Sequence, residues 1–208
     1  ASIPEHLHFQ ACPRHSTPLE NDIDALLPNT SRHEDFGPLK YMTSIQDAWV
    51  FHYKKYLRGI FALRARTAKS MAKLFYRVID CAMIKEGDKE PRFNLYTWFT
   101  GGEYRSVIIF REKHRSHHYF SKGDDHLTMS PGCSDMAGIL VCPVESEFRK
   151  LDAGTVMDML DEVCVSPSEE ENIIWELQRR EPKIQAGIMS AKEITFEIIS
   201  DGAGPQKV

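Results

Sequence analysis

Polar and apolar residues alternate from the start of the chain. Across Glu5 to Cys12, an extended backbone places His6, His8 and Gln10 on one side and Leu7, Phe9 and Ala11 on the other. Pro4 restricts that strand to an edge or to its own beginning. From Pro13 to Lys40 the periodicity stops, and scattered Pro, Asn, Ser and Asp predict a long irregular loop with one short helix near Leu19–Leu27. Loops of that length inside a compact domain are often functional.

Apolar runs then return. Trp49 to Tyr53 and Leu57 to Leu63 read as strands joined by a charged turn at Lys54-Lys55. Thr67 is placed to cap the strongest helix, Ala68 to Lys85, with Gly87 ending it. Met71, Leu74, Phe75, Val78, Ile79, Ala82 and Met83 recur at helical spacing, and Lys69, Lys73 and Arg77 form the opposite, solvated face. Phe93–Phe99 and Arg105–Arg111 flank Gly101-Gly102, a hairpin signal. Gly138 to Pro143 reads as one more short strand. Asp152 caps a helix through Val163, and Ser168 with Glu171 forms a capping-box pattern ahead of Asn172–Arg180. Pro182 marks a domain boundary, followed by two short strands, Lys183–Met189 and Glu193–Ile199.

Composition narrows the class of protein. The 208 residues are 42% hydrophobic and 27% charged, the balance of an ordinary globular domain with room for a sizeable core. A net charge of −4 argues against nucleic acid as a partner. No apolar run approaches the roughly 18–20 residues that span a bilayer, so no membrane partner is expected. The five cysteines (Cys12, Cys81, Cys133, Cys142, Cys164) are widely spaced and contain no C-x-x-C pair. They read as reduced thiols of a cytoplasmic protein.

The alternating His6-Leu7-His8-Phe9-Gln10 carries the chemistry. A neutral imidazole attacks an α-phosphorus to form a covalent nucleotidyl-histidine, dividing one hard displacement into two easier ones. A histidine two positions away shares its face and can orient it or bind a metal. Gln10 donates an amide hydrogen bond to a phosphate oxygen but cannot activate water as an acid or base. That tilts the reading from hydrolysis towards transfer.

His6-Leu7-His8-Phe9-Gln10-Ala11 resembles the signature of the histidine-triad superfamily, in the branch that keeps glutamine third. That branch includes galactose-1-phosphate uridylyltransferase, diadenosine tetraphosphate phosphorylase and GDP-L-galactose phosphorylase. Proteins of Bacteroides-like bacteria carry the same motif. The resemblance implies an α+β fold, a histidine-triad-like antiparallel sheet with helices packed on one face, over residues 1–180. It implies His8 as nucleophile, His6 as its support, Gln10 as phosphate ligand and Ser2 as a further phosphate contact. Its substrates would be a nucleotide-sugar or dinucleotide, with a sugar phosphate or inorganic phosphate as acceptor. In the uridylyltransferases the place of His6 can bind structural zinc beside a cysteine pair, which makes His6 the candidate metal ligand. Magnesium is the other candidate ion, and no carboxylate constellation demands it. A looser similarity covers Ser130 to Val141. Family members place a nucleobase-binding unit ahead of the motif, so the chain is expected to be the C-terminal part of a longer enzyme, with a homodimer as a candidate assembly.

Arg111-Glu112-Lys113-His114-Arg115-Ser116-His117-His118 is the densest basic cluster, and Arg111, Lys113 and Arg115 are its candidate phosphate contacts. The blander alternative is a solvated loop balanced by Asp124 and Asp125. His117 and His118 are adjacent, so on a strand they face opposite ways and chelate poorly. Arg58, Arg64 and Arg66 are weaker phosphate candidates. Residues 181–208 resemble a linker or the opening of a domain similar to stage II sporulation protein D. That similarity motivates the alternative reading: a catalytically inactive binding or scaffolding module attached to a cell-envelope-remodelling domain.

Overall fold

The computed structural model describes residues 10–27 and 34–179. His6, His8 and Ser2, and the whole 181–208 segment, lie outside the described residues. Five strands form one open antiparallel sheet: β1 (Leu39–Ile45), β2 (Ala48–Tyr53), β3 (Ile60–Ala65), β4 (Phe93–Thr100) and β5 (Glu103–Phe110), in the order β1-β2-β3-β5-β4. The helices are α1 (Pro18–Leu26), α2 (Ala68–Ile79), α3 (His117–Phe120), α4 (Cys133–Met136), α5 (Glu145–Phe148), α6 (Ala153–Val163) and α7 (Pro167–Arg179). The expected α+β class with an antiparallel sheet is what the chain forms.

The helices, however, line both faces of the sheet rather than one. Strand alternation sends Trp49, Phe51, Ala62, Val107 and Ile109 into a core closed by Leu19 and Ile23 of α1, Met136 of α4 and Met159, Leu160 and Val163 of α6. Val50, Phe61, Leu63, Ile108 and Phe110 enter a second core under Met71, Leu74 and Val78 of α2 and Ile173 and Leu177 of α7. The central strands are therefore buried on both sides, which is why residues 60–63 of β3 and 107–110 of β5 are unbroken apolar runs. Each fully buried aliphatic side chain here contributes about 1.5–3 kcal/mol.

Local signals account for most boundaries. Gly101 and Gly102 both have positive φ (58° and 78°) in the two-residue turn between β4 and β5, the conformation glycine adopts without penalty. Thr67 Oγ1 accepts the Ser70 amide at 3.1 Å and starts α2; Asp152 accepts the Thr155 amide at 2.7 Å and starts α6. Helix α2 stops at Ile79 rather than Lys85. The Cys81 and Ala82 amides turn back to Val78 and Ile79, and Lys85 is drawn off the helix axis to Glu112 (2.8 Å) and Glu169 (2.6 Å). For α7 the capping side chain is Ser166, whose Oγ accepts the Glu169 amide at 3.2 Å, not Ser168. Strand β1 falls partly in the stretch read as loop, and the 138–143 run is a loop rather than a strand. Beyond β5, the Glu112 amide donates to the Val163 carbonyl (2.9 Å) and the Val165 amide to that of Phe110 (3.3 Å). That contact brings the end of α6 beside the basic segment.

Candidate functional site

Where β5 ends, four segments converge on one guanidinium. Arg111 is 7% exposed. Its Nε donates to the Val163 carbonyl (3.3 Å), Nη1 to Asn94 Oδ1 (2.7 Å) and the Pro131 carbonyl (3.1 Å), and Nη2 to the carbonyls of Lys113 (3.2 Å) and His114 (3.3 Å). An arginine has five N–H donors, and all five are spent. Among the described residues no carboxylate is within ion-pair distance of it. Burial lowers the Arg111 pKa from its ordinary value. Burial also pushes the Cys164 thiol up to about 11 and raises the Tyr96 phenol, so both neighbours are neutral at pH 7. Arg111 thus organises the loop as a fixed positive centre, with its own donors already occupied.

The loop it holds is stiffened from within. Asp135 accepts the Gly132 amide through Oδ2 and the Val141 amide through Oδ1, each at 2.9 Å, which fixes the Ser130–Val141 segment. Tyr96 donates its hydroxyl to the Cys133 carbonyl at 2.7 Å, and Asn94 Nδ2 donates to Cys133 Sγ at 3.1 Å. Asn94 and Tyr96 were not singled out from the sequence. Their i, i+2 spacing on one face of β4 is the signal that was available.

The other two basic candidates differ from Arg111. Lys113 pairs with Glu162, which also accepts the His117 amide (3.0 Å) and faces His117 Nδ1 (2.7 Å). Although burial alone would raise it, hydrogen bonds from Lys113 and His117 hold the Glu162 carboxyl down to about 2. Arg115 lies 3.8 Å over the Tyr119 ring, and its Nε donates to Ser130 Oγ at 2.7 Å. Its two Nη groups make no hydrogen bond among the described residues. Arg115 is therefore the member of the cluster with donors to offer an anion. Gln10 is exposed.

The weaker arginine candidates have structural partners. Arg58 donates to the Asp161 carbonyl at 2.8 Å. Arg64 is fully buried, 3.6 Å from Glu103, and Arg66 lies 3.9 Å from the same carboxylate. A buried pair far apart in sequence, His52 Nε2 and Glu170 Oε1 at 2.5 Å, links β2 to α7. Gly59 permits it: with φ of 123°, a Cβ there would stand 1.6 Å from Glu170 Oε1.

The five cysteines are all free, as reduced thiols. The two clusters of potential metal donors among the described residues contain no cysteine. Among the described residues no helix is long and apolar enough to cross a membrane. No protein-family model, no curated protein and no solved structure matches the chain.

Proposed function

We propose that this protein transfers a nucleotidyl group from a nucleoside diphosphate sugar or dinucleotide to a phosphate acceptor, through a covalent intermediate on His8. The observation that carries the reading is the alternation His6-x-His8-x-Gln10, which sets a nucleophile, its neighbour and an amide donor on one side of an extended chain. An imidazole nitrogen of His8 bonds to the α-phosphorus as the bond from that phosphorus to the bridging oxygen breaks. The leaving phosphate keeps the electron pair. In the second step an oxygen of inorganic phosphate or a sugar phosphate attacks the same phosphorus, and the phosphorus–nitrogen bond breaks. Gln10 holds a non-bridging oxygen without generating hydroxide, which favours transfer over hydrolysis.

The geometry around Arg111 supports this reading. A buried guanidinium with no carboxylate in ion-pair distance among the described residues stands at that end of the sheet, and Arg115 holds unspent donors beside the Ser130 loop. The test is to incubate the full chain with α-³²P-labelled nucleoside diphosphate sugars. Label should be retained in alkali and lost in acid, and His8→Ala should abolish it. Arg115→Gln should reduce labelling roughly tenfold, the loss of one charge-assisted contact. A wild-type chain that takes no label from any member of the panel overturns the proposal and leaves the binding module standing.

A further inference from the structure

We propose that His117, His118 and Asp158 form a binding site for a divalent transition metal, with zinc the best fit. One donor atom from each of the three lies within 4.8 Å of the other two. The histidines are adjacent in sequence, but they sit on the short helix α3 rather than on a strand. Successive side chains there are about 100° apart rather than 180°, and the two rings meet with centroids 4.0 Å apart and planes inclined by 34°. Asp158 comes from α6, so the site joins two elements.

The hydrogen bonds around the rings point to the same assignment. His117 Nδ1 is 2.7 Å from Glu162 Oε2, and His118 Nδ1 is 3.3 Å from the Asp125 carbonyl. A carboxylate and a carbonyl only accept, so each Nδ1 carries the proton, and in the neutral ring each Nε2 keeps its lone pair. Carboxylate and carbonyl partners on the far nitrogen are the usual support of metal-bound histidine. His118 Nε2 is buried, has no hydrogen-bond partner and faces Asp158 Oδ2 at 3.6 Å. A lone pair turned towards a carboxylate is unfavourable unless something positive lies between them. A metal ion supplies that charge, with His117 completing a two-histidine, one-carboxylate set and water taking the remaining position.

Tetrahedral zinc needs donors about 3.3 Å apart, given bond lengths near 2.0 Å. Asp158 and His117 have side-chain exposures of 66% and 56%, which leaves both able to close on an ion. The second cluster of donors, His15, Glu20 and Asp24, lacks this freedom. Glu20 is taken by Arg14, and Asp24 by Arg14 at 2.7 Å and Arg105 at 2.8 Å. Two arginines already neutralise those carboxylates.

The experiment is titration of the metal-free full chain with Zn²⁺, followed by calorimetry and thermal unfolding, with Co²⁺ as a spectroscopic probe. One equivalent should bind at micromolar concentration, raise the melting temperature and be removed by EDTA. Co²⁺ should give visible bands of low symmetry without a thiolate charge-transfer band. Asp158→Asn, at an exposed position that leaves the fold intact, should weaken binding at least tenfold. His117→Ala/His118→Ala should abolish it, while His15→Ala should leave it unchanged. Absence of binding to the wild type, or equal binding by wild type and Asp158→Asn, overturns the site.

Discussion

At the Glu103 end of β5 the guanidinium of Arg64 lies 4.5 Å over the Trp49 ring and 3.6 Å from the Glu103 carboxylate. Alongside it, Arg105 pairs with Asp24 at 2.8 Å, and Trp98 Nε1 donates to the same carboxylate at 2.9 Å. At the other end Arg111 is almost as deeply buried, but its donors go to four backbone carbonyls and one side-chain amide. One end of the strand balances charge with charge; the other satisfies every hydrogen bond and leaves the charge in place. Desolvation of a cation is costly in both cases, and neutral dipoles offset it without cancelling the field. The uncompensated charge reaches its surroundings: partial burial, followed by Arg115 and Arg111, holds the His114 imidazole below its ordinary value.

The largest expected effect comes from removing the organiser. Arg111→Met takes their Arg111 donor from the Pro131 carbonyl and Asn94 Oδ1, leaves the Val163 carbonyl with the Glu112 amide alone, and frees the 111–116 loop, at a cost of about 3–5 kcal/mol. Arg111→Lys should recover less than half of that, because one ammonium cannot reach five acceptors spread over a planar fork. Urea unfolding measures both. A loss below about 1 kcal/mol for Arg111→Met would erase the distinction between the two ends.

A smaller effect is expected at the paired end, and it should be reversible by a second change. Arg64→Met leaves Glu103, 6% exposed, with Arg66 at 3.9 Å as its remaining ion-pair partner. The expected cost is about 2–3 kcal/mol, and adding Glu103→Gln should return most of it. No single carboxylate substitution should rescue Arg111→Met, since no carboxylate among the described residues is stranded by it. Rescue by Asp135→Asn would show that the two ends work alike.

The same contrast explains what could be read in advance. Strands β2, β3 and β5 announce themselves through apolar, β-branched and aromatic runs, and Gly101-Gly102 and Thr67 through turn and cap chemistry. Strand β1 did not, because Lys40, Thr43 and Ser44 interrupt its apolar pattern on a half-exposed edge. The 138–143 run looks like a strand by hydrophobicity, yet its Val141 amide is taken by Asp135 and its side chains are largely exposed. Arg111 was visible as a basic residue, but its role was not. Its acceptors are carbonyls of residues 113, 114, 131 and 163, and a backbone carbonyl has no signature in sequence. His117 and His118 would face opposite ways on a strand; they lie on α3, where successive side chains are about 100° apart, and their rings are in contact.

The smallest expected effect tests whether the neighbours of Arg111 really stay neutral. Burial, the largest influence, pushes the Cys164 thiol from 9.0 to about 11. Between those values the unfolded chain gives up its proton and the folded chain keeps it. The thiol's contribution is therefore fully present below pH 9 and is lost as the pH rises towards 11. A shift of that size corresponds to about 3 kcal/mol once complete above pH 11, and to about half of that at pH 10. Tyr56, raised by burial from 10.0 to about 12, acts in the same direction with a later onset. Cys164→Ala carries a constant cavity cost but has no proton to lose. The difference in unfolding free energy between wild type and Cys164→Ala should be flat from pH 7 to 8.5 and narrow above pH 9. A difference that instead widens as the pH rises towards 9 and levels off above it would mean that the thiolate forms readily in the folded protein as a counter-ion to Arg111. Both ends of β5 would then balance charge with charge.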